Sequence, residues 1–106
     1  MSVSDADIAF ALELFADLGD LSHRKMMGGL CLYHDGTIFS VLHGDGSIWL
    51  KGRSEMAARM KSEGWEQWTS PDPKRPGAMP YWRLPDAALD DPETAGALAR
   101  DALASL

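Results

Sequence analysis

The stretch RKMMGGLCLYHDGTIFSVLHGDGSIWLK, residues 24–51, decides the fold. Short apolar runs in it are broken twice, by Asp35-Gly36 and by Asp45-Gly46. Asp-Gly between apolar runs is a hairpin signal, because a type I′ turn needs φ > 0 at both central residues. The segment therefore reads as an antiparallel meander. With two-residue loops the register follows: Tyr33 opposite Ile38, Leu32 opposite Phe39, Cys31 opposite Ser40 and Leu30 opposite Val41. Across the second turn, His43 faces Ile48, Leu42 faces Trp49 and Val41 faces Leu50.

Alternation assigns the faces. Leu30, Leu32, Phe39, Val41, Ile48 and Leu50 form an apolar core face. Cys31, Tyr33, Ile38, Ser40, Leu42, Trp49 and Lys51 form the other. That second face is mixed but too apolar to stand bare in water, so a second layer or a second subunit is expected over part of it. A slip of one residue at either turn would exchange the faces. Gly28-Gly29 precedes the first strand and predicts a bulge, a sharp bend or a close backbone approach. It lacks the longer glycine pattern of a phosphate loop, and strand rather than helix follows it.

Outward from the meander the chain turns helical. Ser4 reads as an N-cap, and Ile8, Ala11, Leu12, Phe15 and Leu18 recur at helical spacing, predicting a helix from Ser4 to Leu18. Ser54 is expected to cap a helix to about Glu63, with Met56, Ala57 and Met60 inward and Gly64 stopping it. Trp65–Thr69 and Tyr81–Leu84 read as short strands. Between them, four prolines (Pro71, Pro73, Pro76, Pro80) predict a loop from Ser70 to Pro80. Asp86–Leu89 reads as one helical turn, and Asp91-Pro92 opens a last helix with Ala95, Leu98, Ala99, Ala102, Leu103 and Leu106 as its stripe. The fold class is α+β, an antiparallel meander with flanking helices in one domain over residues 1–106.

Composition agrees with a globular domain: 106 residues, 45% hydrophobic and 25% charged. The single cysteine, Cys31, excludes an internal disulfide and points to a reducing cytoplasm. No apolar run approaches the ~20 residues that span a bilayer, so no membrane partner is expected. The net charge is −6. The acids crowd both ends, whereas residues 21–85 hold nine bases against six acids.

Little of this resembles catalytic machinery. His34 and His43 lie at opposite ends of one strand pair, too far apart to share a metal. Cys31 sits mid-strand, where a small hydrophobe fits better than a nucleophile. Asp5, Asp7, Asp90 and Asp91 stand at helix N-termini, where acids satisfy free amides. No metal, no cofactor and no catalytic residue is expected, and the chain is read as a non-enzyme. Trp49, Trp65, Trp68 and Trp82 suit packing better than base stacking, although Arg24, Lys25, Arg53, Lys74 and Arg75 could contact nucleic acid.

The run Arg24-Lys25-Met26-Met27-Gly28-Gly29-Leu30-Cys31-Leu32-Tyr33 resembles the signature of the N-terminal domain of TfoX/Sxy-type proteins, with Met27 in place of the usual Phe. Ile48-Trp49-Leu50-Lys51 and Tyr81-Trp82-Arg83-Leu84-Pro85 are similar to two further segments of that family. The resemblance covers about residues 8–105. It implies a secretion-chaperone-like fold, often homodimeric, and kinship with regulators of natural competence that act on transcription in bacteria. Those regulators carry a further helical domain, which residues 1–106 do not contain. The family supplies no established catalytic residues. The resulting expectation is a protein-interaction module, a homodimer or a partner in transcription regulation, with Tyr33, Ile38, Leu42 and Trp49 as its surface. The alternatives are a nucleic-acid-associated regulator, and a small-ligand binder or enzyme with a pocket near Gly28-Gly29.

Overall fold

Helix α1 (Asp5–Leu14) opens where the Ser4 hydroxyl accepts the Asp7 N–H at 3.0 Å. The computed structural model describes residues 2–70, 73–74 and 77–106. The apolar stripe continues past Leu14, but the backbone does not. Phe15 leaves the helical region, a single 3-10 turn covers Ala16–Leu18, and Gly19 at φ 68° releases the chain. Among the described residues six strands follow, interrupted once by a helix: β1 (Leu21–Met26), β2 (Gly29–His34), β3 (Thr37–Leu42), β4 (Ile48–Lys51), α2 (Ser54–Ser62), β5 (Gln67–Thr69) and β6 (Ala78–Arg83). Helices α3 (Asp86–Leu89) and α4 (Pro92–Ala104) complete the order.

The strands form one antiparallel sheet in the order β1-β2-β3-β4-β6-β5. This is the α+β fold expected, with one strand more. The sequence LSHRKM lacks alternation, so β1 carries no strand signal of its own. It exists because Met27 (φ 50°) and Gly28 (φ 82°) make a two-residue turn and Met26 pairs with Gly29. Gly29 serves the close approach: a Cβ there would lie 2.4 Å from the Leu42 carbonyl oxygen. The glycine pair is thus a hairpin turn followed by a close approach of β2 to its neighbour β3.

The register departs from two plain hairpins. Tyr33 pairs with Ile38 as expected, but the ladder then shifts, and Leu32 pairs with Ser40, Cys31 with Val41 and Leu30 with Leu42. The extra residue is a β-bulge at Phe39, which sets Phe39 and Ser40 both towards the core. The second connection is longer than two residues, since His43 N–H donates to the Ser47 carbonyl and Leu42 pairs with Ile48. Val41 therefore faces Trp49, and Ser40 faces Leu50.

These shifts exchange two residues between the faces. Leu42, expected on the outer face, is fully buried in the core with Leu30, Leu32, Phe39, Ile48, Leu50 and Trp82. Val41, expected in the core, takes the outer place opposite Cys31 and Trp49. The helices supply the rest of that core through Ile8, Leu14, Met56, Met60, Ala95, Ala99 and Ala102. Ser40 joins it without strain because its hydroxyl donates to the Trp49 carbonyl at 2.8 Å. Cys31, Trp49 and Tyr81 are buried too, but outside the helix-covered cluster. They belong to the opposite face.

Two local expectations also change. Ser54 does not cap α2; Arg53 holds the N-cap position without a side-chain bond, its N–H donating to Ser105 Oγ at 3.1 Å. Pro80 lies within β6 rather than in a loop. It is tolerated because β4 has ended at Lys51 and the β5 register shifts beside it. Pro71, Pro76 and Arg75 lie outside the described residues.

Candidate outer-face groove

Strand alternation puts Cys31, Val41 and Tyr81 on the floor of a groove on the helix-free face. The β1–β2 turn, with Met26 and Met27, and the 43–47 connection, with His43, meet at the same end of the strands, where Leu30 pairs with Leu42, and β5 contributes Trp68. The cavity is about 610 Å³, within the range of ligand and peptide clefts. Ile38 and Met79 line its sides.

The His43 end is built from rings. His43 stacks on Trp49 with centroids 4.7 Å apart, Trp68 meets His43 edge-on at 4.9 Å, and Trp68 meets Tyr81 at 6.0 Å. Trp49 is only 4% exposed. Its Nε1 donates to Ser47 Oγ at 2.9 Å, and that hydroxyl donates to Asp45 Oδ1. The connection is therefore tied to the sheet by its own polar groups, and His43 is held over Trp49. Its Nε2 is buried and has no hydrogen-bond partner among the described residues.

Electrostatics keep the groove neutral. Burial pushes the Cys31 thiol above its usual value, opposed by a hydrogen bond from Tyr33 and by the Arg24 charge. Burial likewise raises the Tyr81 phenol, with Arg53 opposing it, and lowers the His43 imidazole, with Asp45 opposing it. At neutral pH these three groups stand as thiol, phenol and imidazole. A thiolate nucleophile is disfavoured at Cys31. Among the described residues no group of three His, Cys, Asp or Glu side chains is placed to hold a metal. What the arrangement offers is an apolar, aromatic surface with cations beside it.

Of the residues expected to form an interaction surface, Tyr33 and Ile38 stand opposite one another on this face, half-buried. Trp49 is there but lies beneath His43, and Leu42 is in the core. Of the expected basic contacts, Arg24 faces outward opposite Cys31, and Lys25 is exposed on the same edge strand. Arg53 acts on Tyr81 from the start of α2, and Lys74 is exposed in the β5–β6 connection. Arg75 lies outside the described residues. Val41, His43, Trp68, Tyr81 and the two methionines were not legible as a site. The strand aromatics were the available signal, and only a register including the bulge would have gathered them.

The TfoX N-terminal domain family model matches residues 13–106, nearly the whole chain. No curated protein matches it.

Proposed function

The chain belongs to the TfoX N-terminal domain family, and on that premise we propose that it is a non-enzymatic interaction module, akin to the competence regulators, that docks another polypeptide on its outer sheet face. The observation that carries this reading is the groove of about 610 Å³ on the side of the sheet opposite the helices. Exposed apolar surface of this extent beside cations is typical of a docking site. The occupant is a second copy or a different protein, which solution mass separates. Sedimentation of the parent and of Ile38→Asp, with pull-down by each as bait, is the test. A complex formed by the parent and lost in Ile38→Asp is expected. A monomeric parent that retrieves nothing beyond what Ile38→Asp retrieves overturns the reading.

A nucleic-acid-associated role has one observation in its favour: the strands carry Arg24, Lys25, Lys51 and Arg83 and, among the described residues, no Asp or Glu. The ring geometry counts against it. Trp49, Trp82 and Tyr81 are buried, and the half-buried Trp68 meets His43 and Tyr81 edge-on rather than as a stacking platform. Gel shift of single- and double-stranded DNA at low salt decides; no shift removes this role.

A further inference from the structure

Met27 is 99% exposed, although it is a large apolar side chain. It also holds a left-handed backbone, φ 50°, at the first position of a turn whose second residue is Gly28 at φ 82°. Asn, Asp or Gly fits that position with less strain. A methionine there is unfavourable to the backbone and buries nothing within the chain. Such an outlier at a surface tip points towards function.

The tip is also held in place. The Gly28 carbonyl accepts the Val3 N–H at 2.7 Å, and Gly29 is pressed against the Leu42 carbonyl. Met27 is thus a fixed projection at the mouth of the groove, beside Met26, which is 53% exposed. Thioether side chains adapt to irregular apolar partners. Arg24 and Lys25 precede them on the same edge strand.

We infer that the β1–β2 turn is the anchor of the docking surface and that its occupant is an acidic, aliphatic segment of another protein. Met27 and Met26 enter between the partner's aliphatic side chains, and its carboxylates meet Arg24, which shares the face of Cys31. This rests on the outer face being a docking surface. Charge complementarity selects the occupant. An isologous contact between two copies sets the same face against itself. Of the strand cations, Arg24, Lys51 and Arg83 share the face of Cys31, Tyr81 and Trp49, Arg83 lies 3.9 Å from Glu66, and among the described residues the strands hold no carboxylate, so such a contact brings Arg24 and Lys51 of both copies onto one surface. An acidic segment sets its carboxylates against Arg24 and Lys51 instead, away from Asp45 and Glu66, which face His43.

Calorimetric titration with a synthetic amphipathic leucine–glutamate peptide tests this, with the leucine–lysine peptide of equal length as control. The parent and Met27→Leu are expected to bind the acidic peptide and not the basic one. Met27→Asn is expected to bind at least tenfold more weakly while melting about 3 °C higher, since Asn-Gly relieves the turn. That combination separates loss of contact from loss of fold. Equal binding of both peptides, or of Met27→Asn and the parent, overturns the inference. So does a single-stranded DNA oligonucleotide that binds as tightly as the acidic peptide, or a parent dimer that Met27→Asn dissociates. If Ile38→Asp abolishes peptide binding and Met27→Asn does not, the docking face stands and its anchor is elsewhere. If neither substitution matters, both readings fall.

Discussion

Gly29 shows how one missing side chain can govern the approach of two paired strands. A Cβ would sit 2.4 Å from a backbone oxygen of β3, which cannot swing aside as a flexible side chain could. Gly29→Ala is therefore expected to cost about 1–3 kcal/mol, the range of an overpacked core. Urea unfolding measures it, and a variant as stable as the parent would refute the close approach. His43 carries the acid sensitivity at this scale. Burial holds its imidazole below the ordinary value of 6.5. The unfolded chain then takes up the proton first, so stability falls as pH drops through 6.5 and levels off below the folded-state value. Asp45 and Asp91 are held below 3.8, so their contributions are lost only in stronger acid. Between about pH 7.5 and 5.5, in histidine's range, the urea midpoint is expected to fall, and His43→Asn to reduce the fall. An undiminished fall in that variant rules the assignment out.

Among the elements, the helices were the most legible. The Ser4 cap, the stop at Gly64 and the Asp91-Pro92 start lie close to where composition put them, because capping chemistry is local. Ser4→Ala is expected to lower stability by about 1 kcal/mol and Ser4→Asp to preserve it, read by thermal unfolding. The strands were legible only in part. Both Asp-Gly turns exist, but the bulge at Phe39 leaves no local mark, and it decides whether Val41 or Leu42 enters the core. Strand β1 escaped because its polar residues form an edge, where alternation is not required. Pro80 misled for the opposite reason. Proline excludes a strand only where its absent N–H would break a ladder; here the β4 side ends on the bond from Gly52 N–H to the Pro80 carbonyl, and the β5 register shifts beside it.

For the whole molecule, the consequential division is between two sides of one sheet. Helices cover the core side, and the groove occupies the other. The candidate site was half legible: its existence followed from an apolar second face, but its membership depended on the register. Paired substitutions check the assignment. Leu42→Asp buries an unpaired charge among core side chains and is expected to abolish cooperative unfolding. Ile38→Asp places the same charge beside water and is expected to keep a cooperative melt near that of the parent. The reverse order would restore the plain two-residue hairpins.

The separation of charge has a kinetic side. The chain carries −6 overall, yet among the described residues its strands hold only cations and the carboxylates lie in helices, turns and loops. The molecule is a polarised plate. A negatively charged body approaching within a Debye length, about 10 Å at 0.1 M salt, exerts a torque that turns the sheet towards it. Salt should therefore slow encounter more than it shortens the life of the complex once formed.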